Sequence, residues 1–374
     1  MDERVIEAMM PYYREDWGNS SSLHQFGRSA LKGLEDSREK IAGYLNCRPN
    51  EVYFTSGGTE SDNFAVKATA FANREKGRHI ITSRIEHQAI LESCQFLEQE
   101  GYEVTYLPVD EYGMVNPDDL KRAIRDDTTL VSVMYVNNEV GTIQPVDELA
   151  AVCRERGVYF HTDAVQAVGR IPVDLQKTPV DMMSTSAHKI YGPKGVGVIY
   201  IRSGTHIQAW QTGGHHESSL RSGTVNVPGI VGYAKALELA VSDMDEIQER
   251  IGTLAETFRM KIENDIPDAR FSGHPVKRVK STVNFCFKGA EGEALILNLD
   301  MKGIGASSGS ACTSGSTDPS HVLLAMGVPP EIAQSSVRFS FGRSNTMDHV
   351  EYTVMVLKEV VERLRSMSPF YAGS

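Results

Sequence analysis

Between residues 50 and 202, short runs rich in β-branched residues alternate with segments in which apolar positions recur with a helical period. The short runs are typical of buried strands, and the periodic segments are typical of amphipathic helices. The alternation predicts an α/β domain with a mostly parallel seven-stranded sheet between helices. The predicted strands are Glu51–Thr55, His79–Ser83, Glu103–Pro108, Leu130–Val136, Val158–Thr162, Met182–Ser186 and Val196–Ile201. The clearest predicted helices are Gln25–Leu45, Glu60–Arg74 and Glu148–Arg156.

The order of elements changes in the last third of the chain. One long helical pattern runs from Gly229 toward Asn264, and a mixture of strands and helices follows it, which is typical of a smaller α+β domain. The later elements are predicted near Thr282–Phe287, Glu291–Leu299, Val337–Phe341 and Asp348–Arg365. We therefore predict a large domain over residues 1–245, whose first residues could pack on the small domain, and a small C-terminal domain over residues 246–374.

Composition and charge narrow the range of partners. The chain has 374 residues, 41% of them hydrophobic, and a formal net charge of -11. Acidic residues are spread along the sequence, which argues against nucleic-acid or anionic-membrane binding and favours small molecules and proteins as partners. The five cysteines are widely spaced without a Cys-x-x-Cys pair, so we expect no disulfide framework, no structural metal site and a reducing, cytoplasmic location.

The segment Thr55–Glu60, with the sequence Thr-Ser-Gly-Gly-Thr-Glu, stands where a predicted strand ends and a helix begins. Backbone N–H groups at Gly57 and Gly58, the hydroxyl of Thr59 and the helix N-terminus could together bind a phosphate. The alternative is a plain strand-to-helix turn with Thr59 as the N-cap. The segment taken alone favours that alternative.

Two further strand ends carry a carboxylate and an amine. Asp163 stands at the end of an apolar strand, where open α/β sheets bind ligands, and it could pair with a protonated ring nitrogen or simply cap a helix. Lys189 precedes a run rich in glycine and proline, and a partly desolvated lysine there could form a Schiff base, although a lone lysine is more often a surface residue. A phosphate site, a carboxylate and a lysine in one domain are together what pyridoxal phosphate (PLP) requires.

Cys312 lies among small polar residues in Ser307–Thr317, which predicts an exposed loop and a thiol that can become a reactive thiolate. A chance surface cysteine is the alternative. The other four cysteines lie in helical or strand patterns that predict burial and low reactivity: Cys47, Cys94, Cys153 and Cys286.

With these residues in view, the sequence resembles the NifS/IscS-type cysteine desulfurases, which are class V aminotransferase-like PLP enzymes of fold type I. The resemblance covers nearly the whole chain. It rests on Gly18–Asn19, Ser21–His24, Phe54–Gly57, Thr59–Asn63, Glu86–His87, Val136–Gly141, Asp163 with Gln166, His188–Gly195, Arg221–Thr224, the Cys312 segment and Ser336–Arg338.

For the cofactor phosphate, the resemblance implies contacts from Thr59, with Gly58 in the same turn, and from Ser186 and His188. Thr224 would reach the phosphate of the neighbouring subunit, which implies a homodimer.

For the cofactor ring, the resemblance implies Lys189 as the Schiff-base lysine and Asp163 as the partner of the pyridine nitrogen. Gln166 and Asn138 would contact the phenolic oxygen. His87 would stack on the ring and move protons. Taken singly, His87, Asn138 and Arg338 are more often a helix cap, a turn former and a rim salt bridge.

For the substrate, the resemblance implies that Arg338 and Asn138 bind the carboxylate of L-cysteine. Cys312 would take the sulfur as a persulfide and leave L-alanine. The long segment after Cys312 matches the family branch that passes sulfur to an iron-sulfur scaffold protein of the IscU type. Cys312 could also contribute a ligand to a cluster in such a complex.

Two other functions remain open from the sequence. A selenocysteine lyase or cystathionine-type lyase would share the cofactor site. A PLP-binding assembly partner with weak catalysis is the alternative from another class, because the usual opening run of the family, resembling Tyr-Leu-Asp-Asn-Ala-Ala-Thr-Thr-Pro, is not present before Met1–Glu3.

Overall fold

The structure is a computed structural model that describes residues 1–308, 318–368 and 371. The chain divides into two compact units. The first unit comprises Met1–Leu107, Pro117–Tyr135 and Pro145–Met244, and the second comprises Pro108–Asn116, Val136–Gln144 and the chain from Asp245 onward. The second unit thus includes two segments that the expected boundary at residue 245 assigns to the large domain.

The first unit is built on a seven-stranded sheet. Its strands are β1 Val52–Thr55, β2 His79–Ser83, β3 Glu103–Leu107, β4 Thr128–Ser132, β5 Tyr159–Asp163, β6 Met182–Ser186 and β7 Gly197–Ile201. They lie in the order β1-β7-β6-β5-β4-β2-β3, and only β7 runs antiparallel to its neighbours. The central strands β2, β4, β6 and β7 are buried along their whole length, as expected for a sheet covered on both faces. The predicted α/β architecture is confirmed.

Helices accompany this sheet along the chain. They are α1 Glu3–Met9, α2 Pro11–Arg14, α3 Gln25–Leu45, α4 Gly58–Asn63, α5 Thr69–Ala72, α6 Gln88–Gln99, α7 Pro117–Ala123, α8 Val146–Glu155 and α9 Val227–Ser242. Helix α1 packs on α9, where Met9 would clash with any side chain at Gly232, so the first residues belong to the first unit. Helix α3 has the predicted bounds and ends where Asn46 adopts a left-handed conformation.

The predicted helix Glu60–Arg74 is not one regular α-helix. A π-helical stretch, Phe64–Ala68, separates α4 from α5. Phe64, Ala65 and Val66 are fully buried there, so the wider turn redirects apolar side chains that a strict 3.6-residue period would place differently. Apolar periodicity alone does not reveal such a turn.

The single long helix expected from Gly229 to Asn264 is also wrong. Helix α9 ends at Ser242, Asp243 leaves the helical conformation with φ −103° and ψ 11°, and α10, Met244–Asp265, begins directly after it. Asp245 and Glu246 occupy the first turn of α10, where acidic side chains are stabilised by the helix dipole. Those acids are the signal of a second helix start.

The second unit combines the remaining elements. They are β8 Ala269–Ser272, β9 Thr282–Phe287, α11 Gly292–Asp300, α12 His321–Ala325, α13 Pro330–Ala333, β10 Ser336–Ser340 and α14 Met347–Met367. The three strands form an antiparallel sheet in the order β10-β9-β8. The short strand β8 was not predicted, since it is an edge strand and only its last residue is buried. Within the described ranges, no helix is long and apolar enough to span a bilayer.

An aromatic cluster forms the core of the second unit. The rings of Phe258 and Phe339 lie 4.8 Å apart at a steep angle, and Phe285 lies 5.9 Å from Phe287. Leu357 of α14 is fully buried against the same cluster. The core thus joins α10 and α14 to the three-stranded sheet. Replacing one of these aromatic side chains by a small one should therefore lower the free energy of unfolding.

Gly197 fixes the register at one edge of the large sheet. It pairs with Thr55 of β1 on one side and with Ser186 of β6 on the other. A Cβ atom at Gly197 would lie 2.7 Å from Cα of Gly57 and 2.7 Å from the carbonyl oxygen of Thr185. Only glycine fits here, because the turn after β1 approaches the backbone of β7.

We predict that Gly197→Ala lowers the free energy of unfolding by about 1–3 kcal/mol, since backbone atoms must shift to admit the methyl group. Urea unfolding followed by circular dichroism measures the change. Gly43→Ala is the matched control, because Gly43 lies in α3 with no atom within 4 Å of the added Cβ. The control should be neutral or stabilising by about 0.5–1 kcal/mol. Equal midpoints for the two variants would contradict the packing argument.

Candidate active site

Three strand ends of the first unit lie at the same edge of the sheet. The pairing of Gly197 brings Thr55 and Ser186 to either side of it, and Asp163 pairs with Ser184 on the next strand. The residues that follow these strands are therefore gathered at one edge, where open α/β sheets bind ligands.

The turn after β1 provides an anion site made largely of backbone. Gly57 has φ +152°, which disfavours other residues, and a Cβ atom on Gly58 would lie 2.7 Å from Cγ2 of Val165. Helix α4 begins at Gly58, so its first N–H groups are available to an anion. The small turn and the helix start together fit a phosphate group.

An ion pair braces this turn. The carboxylate of Glu60 accepts hydrogen bonds from the backbone N–H of Ser56 at 2.6 Å and from Nε of Arg221 at 2.8 Å. The pairing with Arg221 and the bond from Ser56 hold the pKa of Glu60 below its usual value, although burial alone would raise it. Thr224 is exposed three residues after Arg221, and Thr59 is exposed in the turn itself.

Ser186 and His188 add polar groups beside the turn. Oγ of Ser186 lies 2.8 Å from Nδ1 of His188 and 3.8 Å from the position that a Cβ of Gly57 would take. Burial lowers the pKa of His188, and the positive charges of Lys189 and Lys194 lower it further. A hydroxyl and an imidazole next to helix N–H groups are donors suited to a phosphate.

Asp163 is buried at the end of β5. One carboxylate oxygen accepts a hydrogen bond from the backbone N–H of Val165 at 2.9 Å. Burial raises the pKa of Asp163, whereas that hydrogen bond and the positive charges of His87 and Lys189 lower it. A protonated ring nitrogen would act in the same direction as these two cations, because it would stabilise the ionised carboxylate.

Lys189 lies in a 3₁₀ turn, Ala187–Ile190, directly after β6. Its side chain is exposed at this position. Tyr191 follows in a left-handed conformation at φ 65° and ends the turn. The sharp bend places Lys189 at the sheet edge instead of in a regular helix.

His87 and Gln166 have partners that define what they can offer a ligand. Nδ1 of His87 caps α6 by accepting from the N–H of Ala89 at 3.1 Å, so a neutral His87 carries its proton on Nε2. The side-chain oxygen of Gln166 accepts from Arg170, and its amide nitrogen is the group that can donate to an oxygen anion.

Three buried polar residues near this edge lie in motifs or strands that the sequence predicts, but the sequence assigns them no role. Burial raises the pKa of Glu86 to about 8 and lowers the pKa of His161 to about 3. Burial also raises the pKa of Asp62, whose Oδ1 lies 3.8 Å from Nε2 of His161 and has no hydrogen bond from the described residues. A charged residue inside a strand-end motif is the signal that could have marked them.

Arg338 and Asn138 both belong to the second unit. Nη1 of Arg338 donates to the carbonyl oxygen of Asn138 at 2.9 Å, and Nη2 donates to Oγ of Ser307 at 2.9 Å. A guanidinium oriented by two acceptors suits a carboxylate ligand. Cys312 lies outside the described residues.

The other cysteines are unsuited to nucleophilic chemistry. Cys94, Cys153 and Cys286 are buried as predicted, whereas Cys47 is only half-buried because it lies just beyond the end of α3. Burial raises the pKa of Cys47 and Cys94 to about 12 and that of Cys286 to about 11. All three therefore remain thiols near neutral pH.

The chain is similar to several known proteins. The chain matches the family Aminotransferase class-V over residues 1–353. It is 50% identical over 368 residues to a cysteine desulfurase IscS of Dictyoglomus turgidum, covering 98% of this chain and 93% of that protein. It is 52% identical over 369 residues to a cysteine desulfurase IscS of Methanosarcina thermophila, covering 98% and 91%.

Solved structures give the same result. A NifS-like protein superposes with a TM-score of 0.92 at 39% identity, covering 97% of this chain and 96% of that chain. A NifS-like protein of Rickettsia africae superposes with a TM-score of 0.87 at 29% identity, with the same coverage.

The fold and the sheet-edge site define a PLP-dependent enzyme of the class V aminotransferase type. The backbone anion site, the buried Asp163 and the strand-end Lys189 fit the phosphate, the ring nitrogen and the aldehyde of PLP. Within that class, the chain belongs to the NifS/IscS-type cysteine desulfurase family.

The raised pKa of Glu86 predicts a pH-dependent stability difference. Burial raises the pKa of the Glu86 carboxyl from 4.5 to about 8. The stability that the protonated carboxyl contributes is therefore complete below pH 4.5 and is lost as the pH rises through 8. Glu86→Gln cannot ionise. From pH 5.5 to 8.5 the variant should therefore gain stability relative to the parent, on the order of 3 kcal/mol.

Urea unfolding midpoints at several pH values measure this trend. The control is Glu75→Gln, since the Glu75 side chain is 93% exposed and its removal should give a difference that does not change with pH. A difference between Glu86→Gln and the parent that stays constant over the same pH range would show that Glu86 is ionised throughout.

Proposed function

We propose that this protein removes sulfur from L-cysteine, releases L-alanine and retains the sulfur as a persulfide on Cys312. The single observation that carries the proposal is the meeting of the anion-binding turn, Asp163 and Lys189 at one sheet edge. Support for cysteine as substrate comes from the family and from a solved relative, SspA in complex with cysteine, which is 34% identical over 91% of this chain with a TM-score of 0.81.

The proposed chemistry divides between two sets of residues. PLP, when bound, supplies an electron sink that makes the Cα proton of the substrate acidic. Lys189 takes that proton, and Asp163 stays ionised beside the ring nitrogen. Arg338 binds the substrate carboxylate, with Asn138 as a second donor. His87 donates a proton from Nε2.

Sulfur transfer is the step assigned to Cys312. The Cys312 thiolate attacks the substrate sulfur and forms a new S–S bond. The Cβ–S bond of the substrate breaks, and the electron pair of that bond returns to the substrate carbon skeleton. Protonation of that carbon by His87 or Lys189 gives alanine. Cys312 is left as the persulfide, so the sulfur oxidation state is balanced within the two partners.

We further propose a homodimer in the cytoplasm with an iron-sulfur scaffold protein of the IscU type as sulfur acceptor. Thr224 supports the dimer, because the resemblance assigns it a contact to the phosphate of the neighbouring subunit and its side chain is exposed. In this proposal residues 1–245 bind PLP and residues 246–374 carry the cysteine segment. Curated relatives named IscS support sulfur transfer to an acceptor as the general role.

The assignment of Lys189 is tested by chemical labelling. Borohydride reduction of the yellow holoenzyme followed by peptide mapping should place the pyridoxyl group on Lys189, because Lys189 lies in the 3₁₀ turn that follows β6 at the sheet edge. Lys189→Ala should bind no PLP covalently. Lys194→Ala is the matched control, since it removes a neighbouring lysine from the same segment and should keep the label at Lys189.

A pyridoxyl group found on Lys194 of the parent protein would overturn this assignment, and with it the role of the sheet edge.

The role of Cys312 is tested by separating cysteine binding from sulfur removal. Cys312→Ser should keep PLP and bind cysteine, yet release alanine roughly 100-fold more slowly, because a hydroxyl is a poor sulfur nucleophile. Mass spectrometry after exposure to cysteine should find the added sulfur on Cys312 of the parent. Cys47→Ser is the control and should keep the parent rate, since its thiol is held protonated.

Alanine release by Cys312→Ser at close to the parent rate would exclude Cys312 as the nucleophile. Production of pyruvate from cysteine in preference to alanine, or a strong preference for selenocysteine over cysteine as substrate, would favour the lyase alternatives.

A further inference from the structure

A tight turn in the second unit, Asn137–Gly141, holds a buried carboxylate. Oδ1 of Asn137 accepts from the N–H groups of Glu139 at 2.9 Å and Val140 at 3.0 Å, and the N–H of Gly141 donates to the carbonyl oxygen of Asn137 at 3.0 Å. Gly141 has φ +77° and little room for a Cβ atom. The backbone of the turn is thus fixed, and Glu139 is only 1% exposed.

One side of this turn orients Arg338. The carbonyl oxygen of Asn138 accepts from Nη1 of Arg338, and Ser307 accepts from Nη2, each at 2.9 Å. Ser307 also pairs with Arg338 through two backbone hydrogen bonds, of 2.7 and 3.2 Å. Ser307 precedes Cys312 in the sequence, so the chain enters the cysteine segment from a point fixed on Arg338.

The other side of the turn holds the point where the chain leaves that segment. Oε2 of Glu139 accepts a hydrogen bond from Oγ of Ser320 at 2.5 Å. Ser320 caps α12, since its Oγ also accepts from the N–H of Leu323 at 3.3 Å. Ser320, which follows the Cys312 segment in the sequence, is therefore fixed to the same turn that orients Arg338.

The charges around Glu139 are consistent with a specific hydrogen bond between its carboxylate and the hydroxyl of Ser320. Burial raises the pKa of Glu139, whereas the hydroxyl of Ser320 and the positive charges of His321 and Arg338 lower it. A carboxylate buried without such partners would be costly, so its retention here needs these contacts.

We infer that Glu139 is a positioning residue that ties Ser320, and hence the end of the Cys312 segment, to the turn that orients Arg338. The inference rests on the proposed function of Cys312 and Arg338. A thiol on a segment whose two ends are fixed meets the substrate at a higher effective concentration than one whose end is released. Loss of the tie should therefore slow sulfur removal without weakening cysteine binding.

The test uses the holoenzyme and two variants, Glu139→Gln and Ser320→Ala. Glu139→Gln keeps the volume but not the charge, and Ser320→Ala removes the hydroxyl even if Glu139→Gln fails to fold. Three quantities are measured: kcat for alanine release, the Kd for cysteine from the visible spectrum of the cofactor, and deuterium exchange at Cα of L-alanine. The last two do not require Cys312.

The tie predicts a fall in kcat of about tenfold in Ser320→Ala, with Kd and the exchange rate within about twofold of the parent. The fall should be smaller in Glu139→Gln, because the amide oxygen of Gln still accepts from the Ser320 hydroxyl but without the charge. The double variant should be no slower than Ser320→Ala, because Glu139→Gln weakens the same contact that Ser320→Ala removes. Ser335→Ala is the matched control. Its hydroxyl donates to the carbonyl oxygen of Ile332 at 2.7 Å in the same unit, and its loss should leave all three quantities unchanged.

Parallel losses in kcat, Kd and exchange would show a general structural role for Glu139 and overturn the inference, as would three unchanged quantities. Failure of the proposed function is distinguishable, since the parent itself would then release no alanine from cysteine.

Discussion

The close approach of Gly57 to Gly197 is the constraint on which the sheet-edge site depends. Because β7 runs antiparallel between β1 and β6, one residue, Gly197, is opposite both Thr55 and Ser186. A side chain at Gly197 would push the turn after β1 away from the edge. The register also matters, since a slip of one residue would direct Ser186 to the opposite face of the sheet.

Electrostatics at this edge follow from burial of carboxyl groups. Asp163, Asp62 and Glu86 are all buried, and burial raises the pKa of each. The positive charges of His87 and Lys189 partly offset this effect for Asp163. A cationic ring beside Asp163 would further favour its ionised form. The neighbouring acids keep the site from accumulating negative charge, because they hold their protons to higher pH.

Much of the fold could be predicted because the strongest local signals agree with the tertiary structure. The bounds of β2, β6, β9 and α3 match the sequence prediction, since buried strands and a long amphipathic helix have clear periods. The π-helical stretch Phe64–Ala68 and the break at Asp243 could not be predicted from period alone. They depend on how buried side chains pack and on a short polar interruption.

The site was predicted unevenly for a physical reason. Asp163 and Lys189 follow apolar strands, so their position in the sequence implies their position at the edge of the sheet. Glu86 and Glu139 are acids in turns, where the sequence gives no sign of burial, and both prove to be almost fully enclosed. The partner of Glu139, Ser320, is distant in sequence, and only the folded chain reveals their contact.

The turn Asn137–Gly141 shows how adjacent residues can serve different groups. Asn138 uses its backbone carbonyl to orient Arg338, whereas Glu139 uses its side chain to hold Ser320. The amide oxygen of Asn137 accepts from the N–H groups of Glu139 and Val140, which fixes the backbone from which both contacts extend. The same turn therefore orients Arg338 on one side and holds Ser320 on the other.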